Sequence, residues 1–209
     1  SQFPELSKDN TGLLVAVDHP MEHSHRHMSP YMAIYPLGTM DINNPEDKLT
    51  IQQSLKHLDE LGTDSWVGYS FSWMASLHAR GKNGDSALLN LQKFANNFCS
   101  INSFHLNGDQ KGGQYSKFTY RPFTLEGNFA FAQGLHELML QSKKGYVELF
   151  PALPSTWDNL SFDNLRTEGG FLISAKRESK KLTSLKIKAS EGGTINIRFE
   201  KGLVGLNGK

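Results

Sequence analysis

Two short stretches hold the side chains with which this sequence could do chemistry. The first is Glu-His-Ser-His-Arg-His-Met-Ser, residues 22–29. In an extended segment His23, His25 and His27 project from one side. Three roles are open to such a row: a metal site, hydrogen bonds to a hydroxyl-rich ligand, or a solvated capping loop. No carboxylate or cysteine stands at a familiar metal-ligand spacing, and His-Glu-x-x-His is absent. Neutral imidazole and guanidinium groups suit sugar hydroxyls, so a polar ligand is the favoured role. The second stretch is Tyr-Arg-Pro-Phe-Thr-Leu-Glu-Gly-Asn-Phe, residues 120–129. Its Glu126 stands where an apolar helix begins. There the helix dipole and free backbone N–H groups hold a carboxylate ionised, the state a general base requires. Acids at helix starts are also common caps, and both readings stay open. Arg121 is a candidate for a salt bridge or a substrate contact.

Aromatic residues widen the set. Trp66, Tyr69, Trp73, Tyr31, Tyr35 and Tyr115 could stack on sugar faces, although aromatics at helical spacing usually belong to a core. Tyr69, at the entry to an apolar helix, is the best placed to line a cleft. His78 and His136 fall inside helical patterns and read as satisfied or exposed side chains. Cys99, at a helix end without a paired histidine, is a poor nucleophile.

The elements that position these residues follow from periodicity. The segment from Asn44 to Gly62 starts with an N-cap, a proline at the first helical position and acids in the first turn. Ile51, Leu55, Leu58 and Leu61 form its apolar stripe, and Gly62 stops it. Residues 68–81 are apolar nearly all round, which predicts an interior helix. Residues 84–100 are amphipathic again. Residues 127–145 predict a further helix ending at Lys143, Lys144 and Gly145. Alternating amphipathic and interior helices point to helical hairpins stacked in two layers. The long Gly-rich connection from Ile101 to Leu125 predicts a functional loop. Beyond Gly145 the period changes to two, in "YVELF", "GGFLISAKRE", "KLTSLKIKAS" and "GTINIRFE". The expectation is therefore an α+β chain with a helical domain over 1–143 and a β-rich domain over 144–209, "PALPSTWDNLSF" serving as the linker.

Composition sets outer limits. The chain has 209 residues, 38% hydrophobic and 21% charged, with a formal net charge of +1. Nothing in that balance forms a nucleic-acid or anionic-membrane surface. No apolar run reaches membrane-spanning length. A single cysteine excludes an internal disulfide framework.

Four stretches, in order, resemble the C-terminal part of glycoside hydrolase family 95, the α-L-fucosidase-like family. "HRHMS" with "YPLG" (25–29, 35–38) resembles its His-Arg-His-x-Ser segment. "GYSFSWMASLHARGKNGDSALLNL" (68–91) resembles its Gly-Trp-Ser-x-x-Trp helix pair. "FTLEGNFAFAQGLHELMLQS" (123–142) resembles its Asp-Gly-Asn-Phe-Gly helix, and "GYVELFPALPSTW" (145–157) its Leu-Pro-Ala-Leu-Pro-x-x-Trp strand. The resemblance implies part of an α/α-toroid, the six-hairpin glycosidase architecture, followed by a small antiparallel β-sandwich-like domain. It implies inverting hydrolysis of a terminal α-L-fucoside or related L-galactoside on a glycan, with no metal and no other cofactor. Glu126 takes the place of the base-side Asp. His25 or His27 takes that of a sugar-binding histidine braced by Arg26, and Tyr69, Arg121 and Asn128 join the sugar contacts. The family's general acid is implied to lie in an N-terminal remainder of the same polypeptide, and a secreted or periplasmic location is expected. Four departures stand out: Glu126 for Asp, Tyr69 for Trp, Met74 for Lys and Pro30 for His. They keep a second reading alive, in which the chain is a non-catalytic or degenerate carbohydrate-binding or structural module.

Overall fold

The computed structural model describes residues 5–199 and 202–208. A short hairpin, β1 (Lys8–Asp9) and β2 (Gly12–Leu13), and a 3-10 turn at Ser29–Ala33 precede the helices. Four helices follow: α1 (Pro45–Leu61), α2 (Gly68–Arg80), α3 (Gly84–Asn97) and α4 (Glu126–Met139). Seven strands complete the described chain: β3 (Leu140–Lys143), β4 (Tyr146–Leu149), β5 (Leu160–Thr167), β6 (Phe171–Glu178), β7 (Lys181–Ala189), β8 (Gly193–Phe199) and β9 (Gly202–Gly208).

The helices form where local signals and burial agree. The Asn44 side chain accepts the Glu46 N–H at 3.1 Å, and Gly62 ends α1 at φ 73°. Ile51, Leu55 and Leu58 are buried while Gln52, Lys56, Asp59 and Glu60 stay exposed, the amphipathic split expected of α1. α2 is buried along most of its length and packs against both α3 and α4. Its serine hydroxyls are satisfied by backbone carbonyls of neighbouring segments: Ser70 donates to Arg26 O at 3.0 Å and Ser72 to Gly127 O at 3.2 Å. At the other end of α2, Arg80 forms a two-pronged ion pair with Glu137 of α4, at 2.5 and 3.0 Å. The fully buried Gln141 amide donates to Ala79 O and Glu137 O, at 3.0 and 2.8 Å, serving the C-terminal carbonyls of α2 and α4 together.

Three expectations are corrected. α4 was expected to run to Gly145 but ends at Met139, and residues 140–143 form β3, paired antiparallel with β4 through a turn at Gly145 (φ 86°). Tertiary burial outweighs the helical signal there. Leu140, Val147 and Leu149 enter the β core, and Lys143, instead of capping a helix, is buried against acids. The segment Pro151–Asp158 is not a linker between domains. It joins β4 to β5 and docks on the helices: Ala152 is buried with Ala79, Ala87 and Leu91, and Asp85 of α3 accepts both the Ser155 N–H and its hydroxyl, at 2.7 and 3.0 Å. Finally, the strands are not all antiparallel, because β4 pairs with β8 in parallel.

Strands β3 to β9 form two sheets, β3-β4-β8-β9 and β5-β6-β7, whose buried residues share one apolar cluster. The broken alternation at Leu182 and Leu185 has a cause in the register. Arg177 pairs with Leu182 and Lys176 with Ser184, so Thr183 is the extra residue of a bulge.

Helices and sheet are joined by a buried polar cluster. The Lys143 ammonium meets Asp41 at 2.8 Å and Glu148 at 3.1 Å, Lys82 meets Glu148 at 2.7 Å, and the Tyr146 hydroxyl donates to Asp41. Burial pushes both carboxyls up, but their partners win. Hydrogen bonds from Lys143 and Tyr146 hold Asp41 below its ordinary pKa, and the charges of Lys143 and Lys82 do so for Glu148. Because both folded-state values are depressed, their contribution to stability is present above about pH 4.5 and is lost as the pH falls through the folded values. Lys143→Met should cost about 3 kcal/mol, since it leaves Asp41 without a cation and Glu148 with Lys82 alone, and should flatten that acid limb in pH-dependent thermal denaturation. A second variant reads the docked strap. A Cβ at Gly84 would overlap the Ala152 carbonyl, so Gly84→Ala should cost about 1–3 kcal/mol and lower the Tm.

Candidate active site

The N-terminal half of α2 carries Tyr69 and is bonded to the backbones of Arg26 and Gly127. Tyr69 lies on its first turn, half buried, with its ring 5.9 Å from that of Trp73. The Arg26 carbonyl is tied to the Ser70 hydroxyl and the Gly127 carbonyl to Ser72. One helix end therefore fixes both chemistry-bearing stretches through their backbones.

Glu126 is the first residue of α4 and its side chain is exposed. The preceding residue, Leu125, offers no side-chain cap. Among the described residues, no hydrogen bond or ion pair holds the Glu126 carboxylate. Its charge is nevertheless felt nearby. Burial, and then Glu126, push the Tyr69 phenol above its ordinary pKa. Glu126 also pulls upward on His105, whose pKa burial holds below the ordinary histidine value. The Glu126 side chain is thus within electrostatic reach of both the Tyr69 phenol and the His105 imidazole.

The histidine row is bent rather than extended. His25 and His27 meet edge to face with centroids 5.2 Å apart. His25 Nδ1 lies 3.1 Å from the His27 backbone N–H, which can only donate. The same Nδ1 lies 3.3 Å from the His27 carbonyl oxygen, so either tautomer of the ring finds a partner in the His27 backbone. His23, His25 and His27 line an open cleft of about 560 Å³ together with His19, Pro20 and Glu22. Glu126, Tyr69, Arg121 and Asn128 do not line that cleft. Among the described residues no three His, Cys, Asp or Glu side chains converge as metal ligands.

Two expected sugar contacts have other partners here. Asn128 accepts the His105 N–H at 2.8 Å and donates to Ser103 O at 2.8 Å, which engages both ends of its amide in holding the 103–105 turn. Arg121 donates to the Gln110 amide oxygen at 2.6 Å rather than to a carboxylate, and remains exposed. Tyr31 is wholly buried core, Trp66 nearly so, and Trp73 donates its indole N–H to Tyr35 O at 3.1 Å. Burial pushes the Cys99 thiol up to about 11. His78 is buried with Nε2 3.2 Å from Asp59, and His136 is exposed.

Sequence reasoning missed His105. It sits wholly buried between α2 and α4. A Cβ on either Gly68 or Gly127 would overlap its ring. The long loop around it is ordered by Asp109, itself buried, which accepts the N–H groups of Lys111 and Tyr115 at 2.8 Å each. Backbone bonds from Gly108 to Tyr120 and from Asp109 to Phe118 then return the chain to α4.

The model of the glycosyl hydrolase family 95 catalytic domain matches residues 4–140, and that of the glycoside hydrolase family 95 C-terminal domain matches residues 141–207. The chain belongs to glycoside hydrolase family 95. It is similar to alpha-L-fucosidase 2 of Arabidopsis thaliana, 32% identical over 159 residues, which covers 74% of this chain and 18% of that protein. The chain thus spans under a fifth of the length of that relative.

On the expectation that His27 contacts a sugar equally in ground and transition states, His27→Ala should raise KM severalfold for a glycoside substrate of the complete polypeptide with little change in kcat. EDTA should leave activity unchanged. Steady-state kinetics check both outcomes.

Proposed function

We propose that this chain is part of an inverting glycoside hydrolase that removes terminal α-L-fucosyl or related L-galactosyl residues from glycans, and that it supplies the base side of the site. The observation that carries this reading is the Glu126 carboxylate, exposed at the start of α4, unclaimed by a cation or cap among the described residues, and felt electrostatically by Tyr69. In inversion, Glu126 takes a proton from a water as the water oxygen bonds to the anomeric carbon. The glycosidic C–O bond breaks on the opposite face, and its oxygen receives a proton from a separate acid. That acid comes from the rest of the polypeptide. His25 and His27 hold the sugar hydroxyls, with Arg26 beside them.

The architecture supports the same reading. Four helices, with α2 enclosed and α1 and α3 half exposed, suit one part of an α/α-toroid, and two sheets around a shared core suit a sandwich-like domain. Ile101, Phe104, Phe123 and Phe129 are exposed apolar residues in the loop and at the first turn of α4. Large apolar side chains left open at one end of a helical layer suit cover by further helices of a complete barrel. The departures Glu126 for Asp and Tyr69 for Trp favour the second reading, a non-catalytic or degenerate carbohydrate-binding or structural module, and one experiment separates the two. In the complete polypeptide, Glu126→Gln should lower kcat by about 10²–10⁴-fold with an unchanged Tm, and NMR of the wild-type reaction should show β-L-fucose as the first product. Near-normal turnover in the variant, or α-L-fucose as first product, refutes the assignment.

A further inference from the structure

The loop from Ile101 to Leu125 and the start of α4 meet at a single side chain that no part of the proposed chemistry uses. His105 is wholly buried, and its ring lies 5.2 Å from that of Phe94. Nδ1 is 2.9 Å from the Thr124 hydroxyl, while Nε2 has no hydrogen-bond partner among the described residues and abuts Gly68. The backbone of the same residue is engaged on both sides, its carbonyl accepting the Thr124 N–H at 3.2 Å and its N–H donating to Asn128 at 2.8 Å. Three of the residues flanking Glu126, namely Thr124, Gly127 and Asn128, thus meet His105, while Glu126 and Leu125 face outward.

Burying an imidazole with an unpaired nitrogen is unfavourable, because that nitrogen loses its hydrogen bonds to water and gains none. An apolar side chain of similar volume would fill the space without that cost. What an apolar residue lacks is the bond to Thr124, the residue two before the carboxylate. A backbone placed to a fraction of an ångström matters for a group that must aim at a water, and it matters little for stability alone.

We propose that His105 is a positioning residue for Glu126: its ring, wedged between Gly68 and Gly127 and bonded to Thr124, fixes where the first turn of α4 begins and so where the carboxylate points. Its neutral state follows from burial, so it orients the acid without competing with it for a proton. The inference rests on the reading of Glu126 as the base.

The test uses the complete polypeptide and four variants, with kcat, KM and folded fraction measured for each. His105→Phe fills the space and removes the bond. His105→Asn places an amide where Nδ1 was and leaves a void. Thr124→Val removes the same bond from the other side at nearly constant volume. Glu126→Gln serves as reference. The expected result is a fall in kcat per folded molecule of about 10–100-fold in His105→Phe and Thr124→Val, with KM within about twofold. His105→Asn should be less stable than His105→Phe yet retain more of the turnover. A merely structural role predicts the opposite order, with activity tracking the folded fraction, and that result overturns the proposal. Should His105→Phe fail to fold, Thr124→Val decides alone. Turnover lost in Glu126→Gln but kept in Thr124→Val overturns the positioning role only; turnover kept in Glu126→Gln overturns both readings.

Discussion

Two missing side chains hold the site together. Because Gly68 and Gly127 have no Cβ, α2 and α4 approach closely enough at their N-terminal ends to close on the His105 ring. Ser72 then reaches the Gly127 carbonyl, Thr124 reaches the imidazole, and Asn128 reaches back to the loop. The Glu126 side chain, in the middle of these contacts, has no hydrogen bond or ion pair among the described residues, which suits the base role proposed for it. The Glu-Gly-Asn sequence is therefore legible as a division of labour. The acid faces out, the glycine admits a ring, and the amide fastens the loop.

The opposite ends of the same helices are fixed by charge instead of close approach. Arg80 and Glu137 pair where α2 and α4 finish, and Gln141 caps both. The next layer outward is the Asp41, Lys143 and Glu148 cluster that fastens the β3–β4 hairpin to the helical part. Breaking such buried pairs is costly because it strands a charge in a poorly hydrated place. The β-rich part is thereby a support for the helical layer. It is docked through Ala152 and the Ser155–Asp85 bonds and not hung from a flexible tether.

Much of this was written locally in the sequence. The Asn44 cap, the Gly62 stop and the all-round apolar α2 needed only periodicity and capping rules. So did β6, β7 and β8, and even the Thr183 bulge leaves a trace in the broken alternation. What escaped depended on contacts far apart in the chain. Lys143 looks like a helix-terminal cation until Glu148 and Asp41 are brought against it. The proline-rich segment after β4 looks like a linker until α3 is placed under it. β5, with mostly exposed residues, offered little alternation to detect. At the site, Glu126, Tyr69 and the histidine row were marked by residue type and spacing. His105 was not, since a lone histidine in an irregular loop carries no pattern. The two glycines that accommodate it sit in different helices. The bent course of the histidine row and the engagement of Asn128 with the loop were likewise invisible without the fold.

For glycoside hydrolase family 95 the account comes down to one carboxylate and one water. The most direct measurement is a crystal structure of the complete polypeptide with an L-fucose-derived inhibitor in the site. The account predicts the Glu126 carboxylate within hydrogen-bonding distance of a water poised behind the anomeric carbon, the His25 or His27 ring on the sugar hydroxyls, and a second carboxyl about 6.5–9.5 Å from the first on the opposite face. A bound sugar with Glu126 turned to bulk solvent, or another residue holding that water, would contradict it.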